Sequence, residues 1–215
     1  MADDRETILS QLLSLGTSED PLEYTHNLSP GSKSLNNFVS LLAKDPAEED
    51  LQRFLGLYPQ FLMATFGNAD DGDIALLYKP RVGTGFVADF GILICSQGGC
   101  SIYLVEIEPY NVPLFTRAGT PSRYLQHALG QIEDWRQWIN LNKDTFIRET
   151  VEAAKNAVPY SPEDHKPQSI RFESPERLQR LWNKYGGNEY AFLTYAIIIG
   201  RWGKLSEIHR RRLIH

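Results

Sequence analysis

Cysteine is scarce in this chain, with two residues in 215. That excludes a small disulfide-stapled scaffold. Cys95 and Cys100 form a lone Cys-x4-Cys pair with no histidine nearby. This is half of a structural zinc site, and zinc is not expected. Two cysteines across a turn can bond. The acidic, polar opening MADDRETILSQLL does not read as an export signal, so the expectation is a cytoplasmic protein with both thiols reduced. Long apolar runs are also missing: none exceeds five residues, and Ala196-Ile197-Ile198-Ile199 has four. That is far short of a membrane span, and no membrane partner is expected. An excess of positive charge is lacking too, with 22 Lys and Arg against 27 Asp and Glu. The net charge of −5 argues against attachment to nucleic acid by bulk charge alone. It leaves room for an enzyme with a local basic patch and metal ions. Neither an internal repeat nor a low-complexity tract is present.

The remaining composition, 42% hydrophobic and 23% charged, is that of a globular domain with a sizeable core. Apolar residues at three- and four-residue spacing predict helices over 5–15 and 33–43. The polar stretch TSEDPLEYTHNLSPGS between them reads as a loop. Asp45-Pro46 opens an acidic helix over 47–57, which ends before Tyr58-Pro59. FLMATFG, DIALLYK, GFVADFGILIC and SIYLVEIE then read as strands. Residues 67–73 form an Asp/Asn/Gly turn that lacks the spacing and closing glutamate of a calcium loop. A long amphipathic helix is expected over 121–140, followed by a proline-rich stretch (155–176), a short helix (ERLQRLWNKY), a strand (YAFLTYAIIIGR) and a closing helix (LSEIHRRRL). Together these elements give an α/β or α+β core. The basic tail at 201–212 is read first as the solvated face of that last helix.

The informative segment is the hairpin over 86–108. If Cys95 faces Cys100, antiparallel pairing holds the sum of paired residue numbers at 195, which sets Asp89 opposite Glu106. Opposed like charges destabilise a sheet, so this pair calls for a compensating cation or a raised pKa. Alternation places Ile102, Leu104, Glu106 and Glu108 on one face of the second strand and Tyr103, Val105 and Ile107 on the other. Carboxylates gathered in this way form part of a cage for a hard divalent ion; the plainer reading is a pair of solvated acids on an edge hairpin. On the following helix, Gln131 falls within the stripe Ala128, Gln131, Ile132, Trp135, Trp138 and Ile139. A buried amide there needs a partner, either a nearby carboxylate or metal-bound water, or else a neighbour in the core.

The order Asp, hairpin, Glu-x-(Lys or variant), then a helix bearing Gln resembles the PD-(D/E)XK nuclease superfamily. More specifically, EEDLQRFLGLYPQFL, ADFGILI, YLVEIEPYNVPLFTRAGTPS, LQHALGQIEDWRQWI and AIIIGR are similar to the Shedu family of bacterial anti-phage defence nucleases. The likeness runs over residues 46–140 and resumes at 189–213; residues 1–45 have no counterpart and stand as a separate N-terminal helical segment. The resemblance implies a restriction-endonuclease-like core, with a central mixed sheet flanked by helices. It also implies a metal-dependent DNA endonuclease, with Asp89, Glu106 and the Ile107 carbonyl holding Mg²⁺ or Mn²⁺. Glu108 and Gln131 join Asp89 and Glu106 as catalytic residues, and Trp135 completes a Gln-x3-aromatic element. Glu48 or Glu49 matches an extra acid of the superfamily, or is an acid favoured by the helix dipole.

The departure is Glu108, which stands where the superfamily has lysine. Glutamate accepts a proton or ligates a second metal, but brings no positive charge. Lys79, Arg81, Arg117 and Arg123 are candidate replacements. Arg117, Arg123, Arg136 and the 201–212 tail are candidate DNA contacts. The resemblance further implies a homo-oligomer, and the stop at His215 implies a compact or truncated member. The alternative is a catalytically silent nuclease-fold module that binds DNA or a protein partner.

Overall fold

Alternating apolar side chains over 90–107 build the centre of the sheet. In the computed structural model, which describes residues 30–66, 73–96, 99–161, 163, 166–185 and 191–200, they form β4 (Phe90–Ser96) and β5 (Gly99–Ile107). Cys95 lies opposite Cys100, and the register continues to Phe90 opposite Val105, keeping the sum at 195. β1 (Asp73–Tyr78) pairs antiparallel with β4, and β8 (Ala191–Ile198) pairs parallel with β5. The short strands β6 (Val158–Pro159) and β7 (Ile170–Arg171) complete a six-stranded mixed sheet in the order β6-β7-β1-β4-β5-β8. The helices expected over 5–15 and 205–213, the basic tail and most of the 67–73 turn lie outside the described residues.

Because side chains alternate across a strand, the hairpin feeds two cores. Leu93, Ile102 and Leu104 pack with Trp135, Ile139, Phe146 and Val151 of α4 (Arg123–Asn156) and Leu178 of α5 (Pro175–Tyr185). Phe90, Ile92, Val105 and Ile107 pack on the opposite face with Leu51 and Leu55 of α2 (Glu48–Leu57) and Leu62 and Met63 of α3 (Gln60–Phe66). Phe38 and Leu41 of α1 (Ser32–Leu42) cover this second core. The result is a helix–sheet–helix sandwich. Among the described residues, no helix is long and apolar enough to cross a membrane.

Four local expectations need correction. The segment FLMATFG, expected as a strand, is helical through Phe66 as part of α3. Pro59 starts that helix, with the Met63 N–H donating to its carbonyl at 3.0 Å, and Leu, Met and Ala favour the helical state. The stretch 86–95 is not one strand: β3 (Phe86–Val87) pairs with β2 (Arg81–Val82) in a separate ribbon, and the chain changes partner at Ala88-Asp89. There the Ala88 N–H donates to the Pro80 carbonyl and the Lys79 N–H to the Asp89 carbonyl, each at 3.0 Å. The helix expected to end at 140 runs on to Asn156 with a kink at Asn142 (φ −132°), whose side-chain amide donates to the Trp138 carbonyl at 2.9 Å. Finally, Cys95 and Cys100 are disulfide-bonded rather than reduced. The register sets them directly opposite, with Cα atoms 4.1 Å apart, a constraint that a compartment argument does not weigh.

The β2–β3 turn leans on α4 through Gly83. Its φ is +67°, and a Cβ there would sit 2.5 Å from the Trp138 ring. Gly83→Ala is therefore expected to lower stability by about 1–3 kcal/mol, read as a reduced urea midpoint at unchanged slope.

Candidate active site

Where the β4–β5 ladder stops, side chains replace the backbone rungs. Asp89 Oδ2 accepts the Ile107 N–H at 2.8 Å, so the carboxylate closes the hairpin one residue beyond the Phe90–Val105 pair. In extended backbone the N–H and C=O of one residue point to the same side. The Ile107 carbonyl thus faces the Asp89 side, while the Glu108 N–H donates to the Ile198 carbonyl of β8 at 2.9 Å. Glu106 and Glu108 project from the face that carries Ile102 and Leu104. All three carboxylates are buried, at 7% (Asp89), 6% (Glu106) and 4% (Glu108) relative exposure. They line a single cleft of about 690 Å³. The reading of solvated surface acids does not hold.

The three acids are balanced differently. Asp89 Oδ1 receives Lys79 Nζ at 3.0 Å. Glu108 Oε1 lies 3.1 Å from His127 Nδ1. Glu106 Oε2 is buried without a hydrogen-bond partner. Burial, and then the Asp89 charge, push the Glu106 pKa from 4.5 up to about 8; Gln131 works against the rise and Glu108 adds to it. Burial and Asp89 also raise Glu48, whose carboxylate accepts from Gln52 Nε2 at 2.9 Å.

The other expected residues divide between cleft and scaffold. Gln131 lines the cleft, and its Oε1 is a second buried atom without a partner. Trp135 is 1% exposed and packs in the core instead. Glu48 and Glu49 both reach the cleft from α2. Of the four candidate cations, Lys79 and Arg123 line it; Arg81 and Arg117 do not. Arg136, a candidate DNA contact, is bound to Glu133 on the exposed side of α4. Three polar residues of the site were missed, Gln52, Tyr124 and His127. Two of them had a signal available: Gln52 follows Glu48 by one helical turn, and His127 precedes Gln131 by one turn.

The donors suit a hard ion. Among the described residues, no group of three or more His, Cys, Asp or Glu side chains could hold a metal by itself. The candidate set is instead two carboxylates with a backbone carbonyl, the sparse oxygen set typical of magnesium, which keeps water and substrate oxygens as its other ligands. The unpartnered Glu106 oxygen beside Asp89 fits a cation at that point.

The chain is thus a mixed α/β protein whose central sheet ends in a buried acidic cleft. A family model described as Shedu protein SduA, C-terminal, matches residues 45–214. The chain belongs to that family, which ties it to anti-phage defence. No curated protein and no solved structure matches it.

The raised Glu106 pKa fixes a sign. Between the ordinary carboxylate value and about 8, the folded state holds a proton that the unfolded state has released. Metal-free stability therefore falls as pH rises through that window and levels off above it. Glu106→Gln should remove this slope, about 1.4 kcal/mol per pH unit, measured as urea midpoints across the window in the presence of a chelator.

Proposed function

We propose that this protein is a divalent-metal-dependent DNA endonuclease of anti-phage defence, using Asp89, Glu106, Glu108 and Gln131 as its catalytic set. The observation that carries this reading is the convergence of three buried carboxylates, one with an unpartnered oxygen, in one cleft beside Gln131.

The reaction is phosphodiester hydrolysis. The oxygen of a water molecule bonds to phosphorus, one bridging P–O bond breaks with its electron pair going to the sugar oxygen, and a proton from water ends on that oxygen. Asp89, Glu106 and the Ile107 carbonyl would hold Mg²⁺ or Mn²⁺, which when bound supplies Lewis-acid polarisation of the phosphate and charge neutralisation. Asp89 is pre-set for this by the Ile107 N–H, which holds its carboxylate in one orientation. Gln131 offers an amide beside Glu106 to align water. Glu108 accepts a proton or holds His127 at the cleft wall, where Arg123 and Tyr124 of the first turn of α4 give a cationic and aromatic rim for DNA. The Ser122 hydroxyl caps that turn by accepting the Leu125 N–H at 3.3 Å.

A silent binding module is the competing reading, favoured by Glu108 in the lysine position. Incubation of pure protein with plasmid and phage DNA plus Mg²⁺ or Mn²⁺ separates the two. Cleavage is expected, with Asp89→Ala and Glu106→Ala each lowering the rate by about 10²-fold or more and calorimetry showing weakened Mn²⁺ binding. Wild-type protein that neither binds the ion nor cuts DNA is the silent module.

A further inference from the structure

We infer that Lys79, held in place by Gln52, supplies the catalytic positive charge that Glu108 cannot. The inference rests on the nuclease reading above. In sequence Lys79 is far from the Glu-x-Glu motif. In space its ammonium donates to Asp89 Oδ1 at 3.0 Å and to Gln52 Oε1 at 2.6 Å, inside the same cleft as Glu106 and Glu108.

Three features mark this placement as built. First, Lys79 has φ +51°, a left-handed conformation rare for a residue with a Cβ. It is locked there by its own N–H, which donates to the Asp89 carbonyl at 3.0 Å. Backbone and side chain of Lys79 thus both engage Asp89. Secondly, Gln52 is only 4% exposed, and both ends of its amide are used: Oε1 receives Lys79, and Nε2 donates to Glu48 Oε1 at 2.9 Å. Its amide is thereby fixed with the oxygen toward the lysine. Thirdly, the Lys79 side chain is 42% exposed while that of Asp89 is 9%. The Lys79 side chain therefore spans the boundary between solvent and the buried acids, where a phosphate in the cleft would meet them.

The chemistry follows from the geometry. Without metal, Lys79 is the cation that neutralises Asp89. Asp89 and Glu106 would hold a divalent ion, which would supply at Asp89 the charge neutralisation that Lys79 supplies without it. Lys79, still tied to Gln52, would then face the phosphate and balance the charge gathered on its non-bridging oxygens as the water oxygen bonds to phosphorus. The chain thus keeps one cation at the acids in either state. Lys79 touches substrate and is catalytic in this sense; Gln52 acts through it and is a positioning residue.

Two readouts of opposite sign test this. Mn²⁺ affinity by calorimetry and single-turnover DNA cleavage are measured for wild type, Lys79→Met, Lys79→Arg, Gln52→Leu and the Lys79→Met/Gln52→Leu double variant, with circular dichroism to confirm folding. Lys79→Met should cut about 10²-fold more slowly while binding Mn²⁺ as tightly as wild type or more tightly. Lys79→Arg should recover part of the rate. Gln52→Leu should slow cleavage alone and add nothing in the Lys79→Met background, whereas a merely structural role would add. Wild-type cleavage by Lys79→Met, or loss of Mn²⁺ binding along with cleavage, overturns the assignment of Lys79. Additive effects of the two changes overturn that of Gln52. If Lys79→Met and Lys79→Arg are both unfolded, the Gln52→Leu rate decides: an unchanged rate overturns the proposal. Wild-type protein that neither binds Mn²⁺ nor cuts overturns the nuclease reading itself, and the role of Lys79 with it.

Discussion

The bond from the Ile107 N–H to Asp89 Oδ2, at 2.8 Å, is the constraint on which the site depends. It occupies the position where the next rung of the β4–β5 ladder would form, and it replaces a backbone acceptor with a carboxylate. Asp89 can serve this way because the chain has just left the β2–β3 ribbon and bends at Ala88-Asp89 before entering β4. Once the carboxylate is used to close the hairpin, it must remain buried. Its second oxygen then needs a cation, and Lys79 provides one. The bend, the charge pair and the left-handed backbone at Lys79 are linked consequences of one substitution of side chain for main chain.

Much of this was legible in sequence because the sheet obeys simple counting. The cysteine pair across a turn fixed the register, and period two fixed the faces. Register and faces agree with the structure through Phe90 opposite Val105, so the convergence of Asp89 with Glu106 is legible from counting alone. The amphipathic α4 was legible for the same reason, since local periodicity sets which face of an element is buried; the mixed sheet was implied by the family resemblance instead. What failed was what local pattern does not encode. FLMATFG is apolar enough for a strand, and only the proline start and the packing of Leu62 and Met63 under the sheet make it helical. The break at Ala88-Asp89 depends on a partner exchange with Arg81–Val82, a contact invisible in the run GFVADFGILIC.

The polar half of the site was harder to read for a related reason. Asp89, Glu106 and Glu108 declare themselves because buried acids are costly and their spacing is strand-like. Gln52 and His127 carry only the weaker signal of one-turn spacing from Glu48 and Gln131; each is an ordinary polar residue on a helix until the fold sets it against a carboxylate. Lys79 was one cation among four by sequence, and proximity in the folded chain separates it from Arg81 and Arg117. Residues that act through pairing are thus less visible than residues that carry the charge being paired.

Charge balance also accounts for the asymmetry among the three acids. Asp89 has both a cation and a backbone donor, and Glu108 has an imidazole. Glu106 has neither at Oε2, and its environment drives its pKa to about 8. A fold selected only for stability would place an apolar residue or a paired acid there, since an unpaired buried carboxyl costs more than either. Retaining the acid, between a neutralised neighbour on one side and Gln131 on the other, concentrates the unmet demand for positive charge at one point of the cleft. The Asp89 charge that acts on that point is the one Lys79 pairs. Of these two carboxylates one is satisfied by a cation that half-reaches solvent and the other is not, so the cleft keeps an acid whose charge its neighbours do not balance.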